Sequence, residues 1–410
     1  MHDRQRLIGL ILVCAGSLMG PLDTAVNVAF PAITGAFGLP LRQIQWVVLA
    51  FALTQSVVTL ASGRLGDLYG HRRIFAIGMA CCAIAHLAAG FAPSFGWLVA
   101  LRVLQGVSVG LAIACAPALA TLLYPPQQKR QIVAVYVTTF SFGLAFGPLV
   151  GGLLIEWFGW SGVFWFRVPL AVLVLAGLPW LADVRAAPPA ATHTGGEQAA
   201  SAGWAGTADD STAGTAEPQF DRLGFGLLQL DSVMINFAGF AILLLVPYAL
   251  TSWPGLEVAG AGLLIALYPG GALLGGLLAG RFARQMAATA LVRAGLLCAA
   301  LGLLLVAALV GLHSPLLLGL ALAITGIGLG SFQVGYTDAT TSMLPPRHRG
   351  TAGALVSVTR LAGILIGVTG ISALHEALGS HQTGIAIPGL LLLGYALASL
   401  ARSQRSRRSR

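Results

Sequence analysis

Few side chains in this sequence could do chemistry, and they stand out by where they fall. Asp23 comes late in an apolar run that begins at Leu7 and holds no earlier charge, within the stretch Leu22-Asp23-Thr24-Ala25-Val26-Asn27-Val28-Ala29-Phe30-Pro31. The run is long enough to cross a bilayer. A carboxylate in hydrocarbon costs about 2.5–3.5 kcal/mol on insertion scales, so an acid there is by default a candidate for function. Desolvation favours the neutral form of a carboxyl group, which is the condition for trading protons near neutral pH. The alternative is a structural Asp tied to a neighbouring helix, and nothing local decides between the two.

Arg102 is the natural partner. At a rise of about 1.5 Å per residue, Asp23 lies roughly 24 Å along the first apolar run and Arg102 about 9 Å from the outer end of the fourth, in a core about 30 Å thick. The two sit at similar depth, and an unpaired buried Arg is as costly as the acid, so they are expected to pair, directly or through water. Protonating Asp23 would then free Arg102, a charge switch that a proton gradient can drive. Two further acids, Asp231 and Asp338, fall roughly 9–12 Å from the cytoplasmic side by the same count. Either could draw a cation or carry a second proton, and local hydrogen bonding to Ser232, Thr337 or Thr341 accounts for them equally well. Asn27, Gln55, Gln105, Asn236, Gln333 and Tyr336 are polar candidates for a cavity wall, with Phe140, Phe142, Phe237 and Phe240 as aromatic ones. Helix packing alone also explains each of these.

The elements that must position these residues follow from composition. Of 410 residues 57% are hydrophobic and 9% charged, with a mean hydropathy of +0.84, whereas a soluble globular chain carries about 25% charged residues. The surroundings are therefore mostly lipid. Twelve spans are predicted, at about 7–30, 43–62, 74–92, 95–122, 131–155, 162–182, 223–250, 258–280, 291–311, 315–343, 351–374 and 383–401. They form an all-α membrane protein of two six-helix bundles, 1–182 and 222–401. Between them, 183–221 is rich in Ala, Gly, Thr, Ser and Pro and reads as a disordered cytoplasmic linker, and 402–410 is a basic tail. Nearly every Lys and Arg outside the apolar runs falls on one side, with only Arg42 in an opposite loop, which places both termini in the cytoplasm of a cell-membrane protein. The net charge of +9 is concentrated in the tail, where anionic lipid rather than nucleic acid is the expected partner. Cys14, Cys81, Cys82, Cys115 and Cys298 lie in apolar runs without ligand spacing, against a disulfide framework or a zinc site.

The two halves repeat one another. Gly63-Arg64-Leu65-Gly66-Asp67 parallels Gly280-Arg281-Phe282-Ala283-Arg284, Pro125-Pro126 parallels Pro345-Pro346, and Gly143-x-x-x-Gly147 parallels Gly363-x-x-x-Gly367. Repeated six-span units mark a transporter whose substrate path runs between the bundles. In the loop after the second span, Gly63, Gly66 and Gly70 allow a tight turn, while Asp67 could cap a helix N-terminus or pair with Arg72 or Arg73. That is either a cytoplasmic latch or a solvated loop that only sets topology. In the fifth span, Gly143, Gly147, Gly151 and Gly152 offer a face of small residues for close helix contact, and Pro148 permits a bend.

These motifs carry a family resemblance. The chain resembles the major facilitator superfamily and, within it, the drug:proton antiporters whose usual members have fourteen spans. Gly63 to Arg73 (GRLGDLYGHRR) is similar to the loop signature, Leu101-Arg102-Val103-Leu104-Gln105-Gly106 to the fourth-span motif, and Gly143 through Gly152 to the fifth-span antiporter motif. LDTAVNVAFP, with Gln45-Trp46-Val47 following, is similar to the marks of the drug antiporters in spans one and two. The second half matches mainly through Arg349-Gly350-Thr351-Ala352-Gly353. There are three departures: the two extra central spans are absent with the linker in their place, Leu68 and His71 stand where basic residues are common, and Arg284 stands where the first copy has Asp67.

The resemblance implies a proton-coupled exporter of amphipathic, often cationic drugs or metabolites, with the fifth-span motif sealing the interface against leak. Protons would be the coupling ion, with no cofactor, and a monomer would suffice. A dedicated exporter of one metabolite, antibiotic or lipid, a proton-coupled importer and a non-transporting membrane sensor are the alternatives. Neither an enzyme nor a primary pump is expected. Gly106-Val107-Ser108-Val109-Gly110 fits GxSxG only inside a predicted span, Gly326-Ile327-Gly328-Leu329-Gly330 lacks the strand of a dinucleotide site, and no P-loop occurs.

Overall fold

With no water in the bilayer core, each backbone amide in a span must be satisfied within its own segment, and the apolar runs comply by becoming helices. The computed structural model describes residues 3–180, 222–282, 285–343 and 349–408. Among these, twelve helical segments are long and apolar enough to cross a membrane: Arg4–Val28, Leu41–Ser62, His71–Ala89, Phe95–Leu122, Gln131–Phe158, Gly162–Trp180, Arg222–Thr251, Val258–Phe282, Ala288–Leu312, Pro315–Met343, Leu355–Leu378 and His381–Arg402. They match the predicted segments one for one. Large apolar side chains such as Leu7, Ile11, Leu277, Leu316 and Leu390 point outward, as a lipid-facing surface requires. The expected linker, 183–221, lies outside the described residues. The basic tail continues the last helix, His381–Arg408.

Helix pairing repeats with an offset of six. The second span packs on the fourth, the third on the fourth and sixth, and the first on the fifth; likewise the eighth packs on the tenth, the ninth on the tenth and twelfth, and the seventh on the eleventh. The glycine pairs recognised in the sequence serve the same contact in each half. Methyl groups placed on Gly143 and Gly151 would lie 2.8 Å from Leu18 Cδ2 and from the Ala25 carbonyl oxygen of the first span. Those on Gly363 and Gly367 would lie 2.6 Å and 3.0 Å from the Val233 and Phe237 carbonyls of the seventh.

Twelve crossings put both chain ends on one side, and the halves meet on the other. There the fifth span crosses the eighth, with Gly152 against the Val258 carbonyl and Gly262 against the Pro148 carbonyl. One apolar cluster runs through both halves at this end, from Phe30, Ile33, Ile44 and Phe164 into the core of the second half. The first half keeps a separate cluster, including Phe75, Met79, Cys115 and Ile132, toward the chain ends. Arg42 Nη1 and Glu376 Oε2, 3.2 Å apart, bridge the halves on the same remote side.

Two elements differ from expectation. The loop after the second span is mostly helix: Gln45–Tyr69 runs straight through Gly63 and Gly66, and the turn is made by Gly70 alone, at φ 90°. Gly66 is needed for close packing instead, since any Cβ there would meet the His71 ring. The surroundings of Gly63 lie outside the described residues. The first span is not one rod. Its helix Asp3–Ser17 stops, a 3-10 turn covers Pro21–Asp23, and short helices Thr24–Val28 and Phe30–Phe37 complete the crossing. Pro21 lacks an amide hydrogen and cannot continue the first helix's ladder, while Leu22 and Asp23 donate to Leu18 and Gly20, so the break remains hydrogen-bonded.

The packing against the break gives a test. At Gly151 the two nearest neighbours are backbone atoms of Ala25, whereas at Gly143 they are side chains of Leu18 and Pro21 that can shift. Gly151→Val should therefore cost about 1–3 kcal/mol of stability and Gly143→Ala clearly less, read as the loss of melting temperature of the purified protein in detergent. Equal losses would mean that the backbone contact does not limit the approach.

Candidate functional site

Asp23 sits at the break of the first span, and two arginines converge on it. Arg102 of the fourth span grips the carboxylate at two points, Nη1 to Oδ1 at 2.7 Å and Nη2 to Oδ2 at 2.6 Å. Its Nε donates to the Val47 carbonyl at 2.9 Å, Nη1 also donates to Gln105 Oε1 at 2.8 Å, and the Phe51 ring lies 4.1 Å from the guanidinium carbon. Arg167 of the sixth span approaches from another side, Nη1 to Asp23 Oδ1 at 2.9 Å, with Nη2 donating to the Leu22 carbonyl at 3.1 Å. The same Nη1 reaches His86 Nε2 at 2.9 Å, and His86 Nδ1 lies 2.8 Å from the Cys82 carbonyl. With Nδ1 donating to that carbonyl, Nε2 is left as the acceptor, so the neutral ring satisfies both contacts.

Burial makes the arrangement costly to disturb. Both arginines are buried, and the Asp23 side chain is 16% exposed. Two cations face one anion, so the cluster carries a formal charge of +1. Each guanidinium also holds neutral acceptors, namely Val47 and Gln105 for Arg102 and Leu22 and His86 for Arg167. Each cation therefore has hydrogen-bond partners besides the carboxylate.

The fifth-span motif supports this site from behind. Gly143 faces Leu18 and Pro21, Gly147 faces Thr24, and Gly151 faces Ala25, so the glycine face lies along the broken stretch that carries Asp23. Thr24 Oγ1 donates to the Leu144 carbonyl at 3.2 Å. Pro148 and Gly152 lie on the face that meets Gly262 and Val258 of the other half.

The remaining sequence candidates disperse. Gln105 was expected in a cavity wall but is fully buried; it holds Arg102 and donates through Nε2 to the Ala85 carbonyl at 3.3 Å. Asn27, Gln55, Asn236 and Gln333 are half-buried, and Asn236 donates to the Ser232 carbonyl at 2.8 Å. Asp231 is buried and accepts from Tyr395 at 2.7 Å, a partner that the sequence did not suggest. Tyr336 is buried in a network with Gln229 at 2.6 Å and Thr359 at 2.8 Å, while Asp338 is exposed near the end of its helix. In the latch, Asp67 pairs with His71 at 3.3 Å, Arg72 donates to the Leu178 carbonyl at 2.9 Å, tying the third span to the end of the sixth, and Arg73 is exposed.

Sequence reasoning missed Arg167, His86 and Cys82. One signal was present: of the Lys and Arg that lie neither on the chain-end side nor in the loop with Arg42, only Arg102 was accounted for, leaving Arg167 and Arg360 inside spans.

This architecture can be set beside known proteins. Residues 12–368 match the family model of the Major Facilitator Superfamily. The chain belongs to the Major Facilitator Superfamily. This member is similar to the tetracenomycin C resistance and export protein of Streptomyces glaucescens, 35% identical over 179 residues, which are 43% of this chain and 33% of that protein. It thus spans about a third of that relative's length. It is also similar to the riboflavin transporter RibZ of Clostridioides difficile, 24% identical over 403 residues, 90% of this chain and 88% of that one. Among solved structures, the nucleoside transporter NupG superposes with a TM-score of 0.75 at 12% identity, covering 96% of this chain and 99% of the other, which supports the shared fold. The superfamily is one of membrane transporters, and this multi-pass chain has drug-resistance and export proteins among its relatives.

Losing the shared carboxylate should cost more than losing one cation. Asp23→Asn leaves two buried guanidiniums without an anion, and breaking a buried pair costs about 3–5 kcal/mol. Arg167→Gln leaves the two-point contact to Arg102. Thermal unfolding should therefore show a larger loss for Asp23→Asn than for Arg167→Gln, with part of it recovered in the double variant. Simple additivity would show that the three groups do not act as one.

Proposed function

We propose that this protein is a proton-coupled secondary transporter that exports amphipathic organic molecules across the cytoplasmic membrane by alternating access, with both termini in the cytoplasm and a monomer as the working unit. The observation that carries this reading is the placing of Asp23. One carboxylate is shared by two arginines at the break of a span, and it lies against the glycine face of the helix that also forms the contact between the halves. In the cycle we envisage, the remote contact opens, Asp23 takes a proton from outside, and Arg102 and Arg167 fall back on their neutral acceptors. The freed stretch Leu18–Ala25 then moves against Gly143, Gly147 and Gly151, and that motion reaches the eighth span through Gly152. Proton release to the cytoplasm restores the clamp. Asp67, Arg72 and Arg73, with Gly63 and Gly70, would act as the latch on the chain-end side, and Asn27, Gln55, Asp231, Asn236, Gln333, Tyr336 and Asp338 remain candidates for the substrate path.

Support for export comes from the resistance and export proteins among the relatives, whose similarity is concentrated over part of their length. A second reading, a dedicated carrier of one compound, is favoured by the near full-length similarity to RibZ.

The deciding experiment places the purified protein in liposomes with an imposed pH gradient and screens lipophilic cations, neutral compounds and anions for movement. The wild type should move at least one class in a gradient-dependent way. Asp23→Asn should abolish the gradient-driven component while the protein still inserts. Undiminished gradient-driven transport by Asp23→Asn would refute the proposed coupling role.

A further inference from the structure

Arg360 is not used by the mechanism above, and its setting is unusual. It lies in the eleventh span, about 16 Å along the helix Arg349–Leu378 at 1.5 Å per residue. Among the described residues it makes no hydrogen bond or ion pair. A guanidinium at this depth with no partner is expensive, and such residues mark substrate or ion pathways by default.

Its orientation excludes the lipid face. Its side chain is exposed, yet it stands eleven residues before the buried Ile371 and so on the same, inward-turned face of its helix. Helical phase agrees. Residue 360 is seven positions before Gly367, within about 20° on a helix of 3.6 residues per turn, and Gly367 packs on Phe237 and Phe240 of the seventh span.

A second donor without an acceptor lies nearby. Thr359, the preceding residue, bonds Tyr336 at 2.8 Å, and Tyr336 bonds Gln229 Oε1 at 2.6 Å, while Gln229 Nε2 is buried with no partner. Buried polar atoms are nearly always satisfied, and this donor has capacity left for a group that arrives from elsewhere. The nearby carboxylate of Asp231 is engaged by Tyr395.

We propose that Arg360, with Gln229 Nε2, is the point in the second half that receives an anionic group of the transported molecule, such as a sulfonate, carboxylate or phenolate on an aromatic frame. This assignment rests on the transport reading and narrows its substrate class. A guanidinium offers planar paired donors to such a group, and charge-assisted bonds of this kind are roughly twice as strong as neutral ones.

The test measures binding to the full-length protein in phosphatidylcholine nanodiscs by equilibrium dialysis, with two permanently charged probes of similar size, naphthalene-2-sulfonate and N-methylquinolinium. The wild type should bind the sulfonate about tenfold or more tightly than the cation, Arg360→Gln should remove that preference, and Arg360→Lys should keep most of it. Should Arg360→Gln fail to fold, the wild-type preference and the effect of Gln229→Leu, expected to weaken sulfonate binding alone, decide the matter. A wild type that prefers the cation, or sulfonate binding indifferent to residue 360, overturns the proposal. Arg360-dependent binding that added phosphatidylglycerol abolishes would assign the site to a lipid headgroup and overturn it too. Arg360-dependent sulfonate binding in a protein that moves nothing along a pH gradient would uphold this assignment while removing the export reading. Gradient-driven transport without such binding would do the reverse.

Discussion

A single carboxylate held between two guanidiniums, away from water, constrains the rest of the first half. Charges in a medium of low dielectric attract far more strongly than in water, but they also cost several kcal/mol each to bring there, and the attraction offsets that cost only when geometry and hydrogen bonding are complete. The contacts here draw on five elements and leave only Nε of Arg167 without an acceptor among the described residues. The first span supplies Asp23 and the Leu22 carbonyl, the second the Val47 carbonyl and the Phe51 ring, the third His86, the fourth Arg102 and Gln105, and the sixth Arg167. No one of these helices can rotate without breaking a buried contact. The fifth contributes no charge and works by shape.

The shape of the fifth span is two-sided. Three glycines spaced four apart lie along the broken stretch of the first span, while Pro148 and Gly152 meet the eighth. At Gly151 and Gly152 the contact is mainly with backbone, which has no side chain to absorb a displacement, so a shift there is passed on rather than dissipated. The second half repeats the packing through Gly363 and Gly367 but places Phe237 and Phe240 where the first half has Thr24 and Ala25. The frame is duplicated and the ionisable centre is not.

How much of this the sequence disclosed depended on range. Hydropathy marked all twelve spans, because the bilayer imposes length and apolarity on each segment separately. The Asp23–Arg102 contact was also legible, since two costly charges at equal depth have few other ways to be satisfied. Arg167 and His86 were not, because which face of a helix meets which neighbour is decided by packing between segments far apart in the chain. Gly63 and Gly66 misled in the opposite direction: read as turn formers, they are helical, and for Gly66 the reason is the closeness of His71. Gln105 was misassigned because depth alone cannot tell an open wall from a filled one.

The bridge between Arg42 and Glu376 has a consequence for the environment the protein can tolerate. Both side chains are well exposed, at 60% and 58%, and ion pairs so exposed contribute about 0–1 kcal/mol and fade as salt rises. Closure at that end instead rests on short-range contact, Gly152 against Val258 and the shared apolar cluster, which dissolved ions do not screen. Under the transport reading proposed above, the contact that holds this end together is therefore little touched by electrostatic screening, whatever the salinity of the medium it meets.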